Sequence, residues 1–476
     1  MKNKFLDNLL KFAIGPMGAA VIGFITVPIT TWLVAPEEFG QTTIFTLVQT
    51  LITSFIYLGI DQAYVREFHS YKGDKTNLFL NAIFIPAVIT ILLMALMLFN
   101  LQRVSLYLFE EVNILLTSSL IVWIPFTVME RFLLLNTRME EKGLHYSVFN
   151  IGVKLLIMLL TVTLLLLQSR TYSSIILGSI WGQIIADICI IVYSRKQFQF
   201  KNFQFEKDLI WIMIKFGLPI LPAVMISWIL NSTDRIVLQQ YSTLHDIGIY
   251  FAAMKFVAAL TMIQTIFTTF WTPIAYRWHE EKQDTEQFTR VSYGVFIIMG
   301  IVFILMLIFK KILILILSPE YSEAQYILPF LLFTPIMYTV SETTMLGINF
   351  SRKTHLSIWV SLASAITNII INIFLVPIIG AVGAAIGTGC AYIVFFITRT
   401  LISRKYWYKI KMKFYVINIL VLLIIASLNI IVKSNSIYFI NFLSLIGYLI
   451  VNISFIQFIF KRQVAILSAT HEKTHK

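Results

Sequence analysis

Fourteen apolar runs, each of about 20 residues, constrain the fold of this 476-residue chain more than any other feature of its sequence. A helical run of this length matches the roughly 30 Å hydrocarbon thickness of a bilayer. Of all residues, 58% are hydrophobic and only 13% are charged, which is more apolar sequence than a soluble core needs. The sequence therefore predicts an all-α polytopic membrane protein with about 14 transmembrane helices. The runs lie near residues 8–34, 41–60, 78–99, 112–135, 144–167, 174–193, 210–232, 248–276, 288–309, 326–349, 355–377, 380–398, 414–432 and 437–460.

Lysine and arginine are distributed unevenly among the segments that join these runs. With the N-terminus placed inside, 28 of the 37 such residues lie in inner segments, 6 in outer segments and 3 within runs. Cytoplasmic loops of membrane proteins carry this excess of cations. The pattern predicts that both termini are cytoplasmic, and it explains the net charge of +13 without a nucleic-acid partner. The six outer cations are Arg103, Arg170, Arg235, Lys310, Lys311 and Lys433.

The two halves of the chain resemble one another. Lys11-Phe12-Ala13-Ile14 is matched 204 residues later by Lys215-Phe216-Gly217-Leu218, and Glu38-Phe39-Gly40 is matched 208 residues later by Asp246-Ile247-Gly248. Six spans per copy give both copies the same orientation, as in transporters built from parallel repeats. We expect a six-helix lobe over 1–200, a second over 201–408, two accessory helices over 409–462 and a cytoplasmic tail over 463–476. Chance similarity in a biased composition is the alternative.

Prolines interrupt the first and seventh runs at corresponding places. Pro16 and Pro28 lie in the first run, and Pro219 and Pro222 lie in the seventh. A membrane helix tolerates proline where neighbouring groups or water satisfy the freed carbonyls. We interpret these four residues as candidate hinges, with ordinary helix kinking as the alternative.

Four cations lie within or at the ends of the runs and are candidates for binding an anionic cargo. A cation in a membrane helix costs from about 2.5 to well over 10 kcal/mol, so it usually faces water or a partner. The alternative for Lys255 is a structural ion pair. For Arg235 the alternative is an ion pair with Asp234 or snorkelling, in which the side chain extends to the membrane surface, and snorkelling is also the alternative for Lys215. For Lys154 the leading interpretation is a structural salt bridge with Asp187. The four candidate cations are Lys154, Lys215, Arg235 and Lys255.

Acidic residues within the same regions are candidates for coupling or gating. Asp187 is a candidate proton-coupling acid, because intramembrane acids often relay protons. Asp234 is a coupling or gating candidate, and Asp61, at the end of the second run, could gate the inner side. Glu130 and Glu342 lie toward the inner ends of their runs, where we expect exposure at the interface.

His471-Glu472-Lys473-Thr474-His475 has the H-E-x-x-H pattern of zinc peptidases. It lies in the charged tail, outside any run and without a downstream third ligand. We interpret it as a chance match and expect neither a metal nor a cofactor. Deletion of 466–476 should leave function unchanged. The chain also has no Walker-type phosphate-binding motif, which argues against ATP as the direct driver.

Several stretches along the whole chain resemble the polysaccharide-type oligosaccharide flippases (Wzx-like) of the multidrug/oligosaccharidyl-lipid/polysaccharide exporter superfamily. Their order and spacing carry the resemblance more than any single one. They are Ala35-Pro36-Glu37-Glu38-Phe39-Gly40, Phe216-Gly217-Leu218-Pro219 with Trp228, Asn231 and Asp234-Arg235, Asp246-Ile247-Gly248-Ile249-Tyr250 with Lys255, Ser318-Pro319-Glu320-Tyr321-Ser322-Glu323-Ala324, and Val376-Pro377-Ile378-Ile379-Gly380-Ala381-Val382-Gly383-Ala384-Ala385.

The resemblance implies a function, a cargo and a location. The function is transfer of undecaprenyl-diphosphate-linked oligosaccharide units from the inner to the outer leaflet of a bacterial cytoplasmic membrane, for O-antigen, capsule or exopolysaccharide. It implies two lobes that open alternately around a cationic cavity, and a coupling ion, H⁺ or Na⁺. Membrane lipids, a glycan polymerase and a chain-length regulator are the expected partners. The first run has only Lys11 as a cation, which makes a lipid II-type cargo less favoured.

Two other functions stay open at this point. A drug or cation antiporter of the same superfamily should have mostly acidic pathway residues, whereas the candidates here are mostly basic. A membrane glycan polymerase would be an enzyme and should have a large outer loop, and no predicted outer loop exceeds about 15 residues. We therefore expect a transporter rather than an enzyme.

Overall fold

The computed structural model describes the backbone of residues 2–195, 198, 203–351 and 353–474. It describes side chains over 11–459, apart from 13, 196–197, 199–202, 223, 226–227, 230–231, 352 and 354. Within these ranges every regular element is a helix, and the contacts divide the chain into two compact units, Met1–Gln239 and Gln240–Lys476. The predicted all-helical class is confirmed. The predicted boundaries at 200/201 and 408/409 stay a prediction.

The first unit contains ten helices among the described residues, with one 3₁₀ turn, Leu218–Ile220, between the last two. They are α1 (Lys2–Thr31), α2 (Pro36–Ile56), α3 (Ile60–Ser70), α4 (Lys75–Phe99), α5 (Leu101–Phe109), α6 (Ile114–Met139), α7 (Gly143–Leu167), α8 (Tyr172–Tyr193), α9 (Lys207–Gly217) and α10 (Leu221–Tyr241).

The second unit contains nine helices and two 3₁₀ turns, Pro319–Tyr321 and Thr354–Leu356, in the part that the structure describes. The helices are α11 (Leu244–Glu280), α12 (Thr285–Ile308), α13 (Lys310–Leu315), α14 (Ala324–Leu331), α15 (Phe333–Thr344), α16 (Leu346–Phe350), α17 (Ser357–Tyr406), α18 (Met412–Ile431) and α19 (Ser436–Thr474).

Twelve helical stretches of the described chain are long and apolar enough to cross a membrane. The protein is therefore a multi-pass membrane protein, but the predicted number of about fourteen is not confirmed. The difference has two sources. The run 210–232 is divided among α9, the 3₁₀ turn and α10, and the runs 355–377 and 380–398 both fall within α17.

Helix α17 is interrupted where the sequence predicts the end of one span. An unbroken helix of 50 residues would extend about 75 Å, more than twice the bilayer core. The backbone of Ile379 and Gly380 is not helical, and Gly380 has a φ of 52°. A Cβ atom on Gly380 would lie 2.4 Å from Oδ2 of Asp246, so only glycine fits this position.

The two matched acidic residues of the sequence repeat occupy corresponding places. In the first unit, the carboxylate of Glu38 accepts a hydrogen bond from the backbone N–H of Tyr172, at the start of α8. In the second unit, the carboxylate of Asp246 lies against Gly380, where the second part of α17 begins. Each acid thus contacts the start of the sixth predicted span of its own repeat.

Glycine allows helices α7 and α8 to pack with their backbones close together. A Cβ atom on Gly178 would lie 2.4 Å from the Cα of Thr161, and one on Gly182 would lie 2.7 Å from the Cα of Ile157. These two glycines are four residues apart on one face of α8, the small-residue spacing that promotes close helix packing in membranes. The pair anchors α8 in the first unit.

Helix α9 packs onto the first unit through a second glycine contact. Gly59, at φ 72° before α3, approaches Gly217 so closely that a Cβ atom on Gly59 would lie 2.5 Å from the Gly217 carbonyl oxygen. The segment before α9 is held by α4, since Asn77 and Asn81 accept hydrogen bonds from the backbone N–H groups of Gln204 and Glu206. These contacts explain why α9 belongs to the first unit.

Candidate functional site

Three of the four candidate cargo-binding cations have exposed side chains. They are Lys154 in α7, Lys215 near the end of α9, and Lys255 in α11. The exposure of Lys255 is notable because the residues before it, Ile247–Ala253, are all buried. A lysine exposed from a membrane helix to lipid would carry a large free-energy cost, which is avoided if it faces water or a charged partner.

The fourth candidate cation, Arg235, is half-buried in α10 next to Asp234, which is also half-buried. Both residues have interaction partners in the structure. Their roles in cargo binding and in coupling stay predictions.

Asp61 does not stand alone, because it forms an ion pair inside the first unit. The guanidinium of Arg131 in α6 lies 2.6 Å from Oδ2 of Asp61, the second residue of α3. The Asp61 side chain is 8% exposed, whereas that of Arg131 is 41% exposed. The pair therefore links α3 to α6 and leaves one side of the guanidinium accessible. A gating role for Asp61 stays a prediction.

The expected salt bridge between Lys154 and Asp187 is not formed, which corrects the leading interpretation of these two residues. No ion pair within 4.0 Å joins them among the described residues. Asp187 is 0% exposed in α8 and interacts electrostatically with Glu130 of α6. Lys154 has an exposed side chain on α7 and also interacts electrostatically with Glu130. The two charges are separated because one is buried and the other points outward.

Glu130 belongs to a hydrogen-bonded chain inside the first unit. The indole Nε1 of Trp123 donates to Oε1 of Gln183 over 2.8 Å, and Nε2 of Gln183 donates to Oε2 of Glu130 over 2.6 Å. Gln183 lies one helical turn before Asp187 on α8. Neither carboxylate oxygen of Asp187 has a hydrogen-bond partner in the described structure. This places two acidic side chains between α6 and α8, only one of them anchored.

The expectation that Glu342 is exposed at the interface is wrong. Its side chain is 7% exposed in α15 and lies 2.8 Å from the guanidinium of Arg399 in α17, which is 10% exposed. Ser341 accepts a further hydrogen bond from Arg399 over 2.6 Å. The pair was not predicted, because Arg399 lies just beyond the predicted run 380–398, whereas α17 continues to Tyr406.

The candidate hinge prolines differ between the two matched spans. Helix α1 continues through both Pro16 and Pro28 without a break. In the seventh run, α9 ends at Gly217, a 3₁₀ turn contains Pro219, and α10 begins just before Pro222. The interruption therefore occurs only in the second copy, and the role of these prolines as hinges stays a prediction.

The candidate metal motif of the tail cannot be placed by its side chains. His475 lies outside the described residues, and the side chains of 460–476 are also outside them. In the rest of the described chain, no three histidine, cysteine or acidic residues group as metal ligands.

Three solved structures have similar folds at low sequence identity. The lipid II flippase MurJ in an inward closed conformation matches with a TM-score of 0.69 and 15% identity, covering 95% of this chain and 99% of MurJ. An outward-facing multidrug resistance MATE family transporter of the MOP superfamily matches with a TM-score of 0.55 and 14% identity, covering 83% of this chain and 94% of the transporter. A MOP superfamily transporter from Pyrococcus furiosus, described as having a binding pocket of reversed polarity, matches with a TM-score of 0.54 and 13% identity. The match covers 83% of this chain and 93% of that transporter.

These similarities show that the chain shares its fold with MurJ and the MATE transporters. At identities this low, they show the fold alone. No curated protein matches the chain. The family comparison is more specific, because the model described as "Polysaccharide biosynthesis protein" matches residues 5–277, more than half of the chain. The chain therefore belongs to the polysaccharide biosynthesis protein family.

Proposed function

We propose that this protein is a flippase for undecaprenyl-diphosphate-linked oligosaccharide repeat units. It moves them from the inner to the outer leaflet of the bacterial cytoplasmic membrane, by alternating access, for the synthesis of O-antigen, capsule or exopolysaccharide. Family membership and the shared transporter fold support the general class. The diphosphate and the glycan are proposed from the charges described below.

The observation that carries the proposal is the opposite placement of cations and acids in the helices. Lys154, Lys215 and Lys255 have exposed side chains. By contrast, Asp61, Asp187 and Glu342 are all buried. A diphosphate carries about two negative charges, and charge-assisted hydrogen bonds from amines to phosphate are stronger than neutral ones. The accessible charge in these helices therefore suits an anionic cargo.

The same placement disfavours a drug or cation antiporter. Binding of a cationic drug requires accessible carboxylates, but the acids named above are enclosed by other helices or by Arg131 and Arg399. We also favour a transporter over a glycan polymerase, because the structures with similar folds are those of transporters.

A Lys255→Ala variant tests the proposal in cells that depend on this protein for surface glycan. We expect surface glycan to fall at least tenfold while lipid-linked oligosaccharide accumulates and the amount of membrane protein stays normal, because removal of a charge-assisted contact to phosphate costs about 1.5–3 kcal/mol. Lys255→Arg should retain most of the export. Lys207→Ala, at an exposed lysine at the start of α9, is the control and should behave like the wild type. Wild-type export by Lys255→Ala would refute this site.

Further parts of the proposal concern coupling, partners and location. We propose H⁺ or Na⁺ as the coupling ion, with Asp187, Asp234 and Asp61 as the groups that respond to it. A glycan polymerase and a chain-length regulator are the proposed partners, and both termini are proposed to be cytoplasmic. Asp187 has the strongest structural support, because its buried carboxyl group has no hydrogen-bond partner among the described residues.

A further inference from the structure

A cavity of about 280 Å³ lies in the second unit, where the segments around α13 and the start of α19 meet. Its volume is close to the lower end of the range for small-molecule sites, roughly 300 Å³. Three lysines line the cavity, Lys310, Lys311 and Lys433, and no aspartate or glutamate is among its lining residues. A cluster of amines without a carboxylate has an unbalanced positive charge.

Lys310 is the unusual member of this cluster. Its side chain is 1% exposed, and its Nζ atom has no hydrogen-bond partner among the described residues. The ring of Tyr326 offers a cation–π contact, with its centroid 5.7 Å from Nζ. Burial lowers the pKa of Lys310 to about 8. A buried ammonium with three unsatisfied donors is expensive, and proteins normally pair such a group.

A second lysine approaches the same ring. Nζ of Lys433 lies 5.5 Å from the centroid of the Tyr326 ring. Lys310 and Lys433 also line the same cavity, so an anion bound there would be attracted by both positive charges.

Other donors converge on the same cavity. The hydroxyl of Ser318 is buried, lines the cavity and has no hydrogen-bond partner in the described structure. Ser434 and Asn435, directly before α19, also line it. The N-terminus of a helix favours anions through its free N–H groups and its dipole. The cavity therefore combines buried donors with a helix terminus.

The predicted topology makes this cluster still more unusual. Only 6 of the 37 lysines and arginines are predicted on the outer side, and three of these six line this one cavity. Outer loops of membrane proteins are poor in cations. A concentration of outer cations around a single cavity thus indicates a local role.

We infer that this cavity, lined by Lys310, Lys433 and Ser318, is a binding site for a phosphate group, additional to the cargo site proposed above. Lysine is a common phosphate ligand and acts as a point charge, which suits a tetrahedral anion. The phosphate comes either from free phosphate in solution or from the headgroup of an anionic lipid. The site belongs to the second unit alone, so it does not depend on the proposed function.

A Lys310→Met variant of the full-length protein tests this inference. Binding of inorganic phosphate is measured by calorimetry in a zwitterionic detergent, and binding of phosphatidylglycerol by native mass spectrometry against phosphatidylcholine. We expect Lys310→Met to weaken binding of the accepted phosphate about 10- to 100-fold. Lys405→Met is the control, because Lys405 is exposed and also lies near a tyrosine ring, 5.9 Å from the centroid of Tyr406. It should bind like the wild type.

Folding of the variant is checked separately by its thermal unfolding temperature without added phosphate. Methionine is apolar and of similar length, so this temperature should stay the same or rise once the buried charge is removed. If Lys310→Met loses the binding of inorganic phosphate, the site accepts the free anion. If it loses the binding of phosphatidylglycerol, the site accepts the lipid headgroup. If the wild type binds neither, or if folded Lys310→Met binds as well as the wild type, the inference is wrong.

Discussion

At the scale of single residues, the charged side chains of the helices differ in burial. Arg399 and Glu342 form a buried pair, and Asp61 is enclosed beside Arg131. Lys154, Lys215 and Lys255 are exposed. The buried charges therefore connect helices, whereas the exposed lysines are the ones that we propose to bind the cargo.

The buried pair predicts a strong coupling between two substitutions. Arg399→Met leaves Glu342 buried without its cation, and we expect this to destabilise the protein by about 3–5 kcal/mol. The double variant Arg399→Met with Glu342→Leu should recover most of that loss, since a buried apolar pair is about as stable as an ion pair. The measurement is thermal unfolding in detergent of the wild type, Arg399→Met, Glu342→Leu and the double variant. Equal losses in the single and double variants would contradict a structural pair.

The low pKa of Lys310 predicts that anion binding depends on pH. The amine is protonated below pH 8 and loses its proton as the pH rises above about 8, so affinity for an anion should be constant below that value and fall above it. The other titratable groups that line the cavity are Lys311, Lys433, Tyr326 and Tyr438. Glu320 and Glu323 lie nearby in sequence, are exposed and do not line it.

Sulfate is the probe for this measurement, because its charge does not change between about pH 6.5 and 9.5 and the observed change then reports on the protein. Calorimetric titrations across that pH range should show an affinity for sulfate that falls as the pH rises above about 8. In Lys310→Met the residual affinity should be independent of pH near 8. A wild-type affinity that stays constant up to about pH 9.5 would contradict the assignment.

At the scale of helices, glycine determines which elements come close. Gly178 and Gly182 bring α8 against α7, Gly59 and Gly217 bring α9 against α3, and Gly380 interrupts α17 beside Asp246. The first pair can be recognised in sequence by its four-residue spacing. The contact of Gly59 with Gly217 cannot, because its two members are 158 residues apart.

Two substitutions of glycine by leucine test the packing of α7 with α8. Gly182→Leu places a side chain where a Cβ atom alone would be 2.7 Å from the Ile157 backbone, so the helices must separate. We expect a loss of about 1–3 kcal/mol or more and a reduced yield of folded protein. Gly152→Leu on α7 is the control, because a Cβ atom on Gly152 would meet no neighbouring group within 4 Å. Similar yields for both variants would show that the close approach is not needed.

At the scale of the whole molecule, the charge distribution predicts the side of the membrane on which each segment lies. Reporter proteins fused after residue 410 and after residue 434 test this directly. We expect cytoplasmic reporter activity at the first position and extracytoplasmic activity at the second, because α18 crosses between them. The reverse result would invert the predicted topology and place the phosphate cavity on the inner side.

The sequence alone determined the class of this protein. Hydropathy and length predict a helical membrane protein, because backbone groups in lipid must be satisfied within a helix or a closed barrel. The paired segments around Glu38 and Asp246 predict the internal similarity, and both acids indeed lie at the start of a corresponding span. These features depend on residues close together in the chain, or on regular periodicity.

Only the tertiary structure decided how the charges are paired. Lys154 and Asp187 have opposite charges at suitable heights, yet one is exposed and the other faces Glu130. Arg399 pairs with Glu342, 57 residues earlier, and Lys310 and Lys433 both approach the ring of Tyr326. The rotation of a helix about its axis is set by packing against its neighbours rather than by its own composition. For this reason, the helices follow from the sequence, but the partners of their charged residues do not.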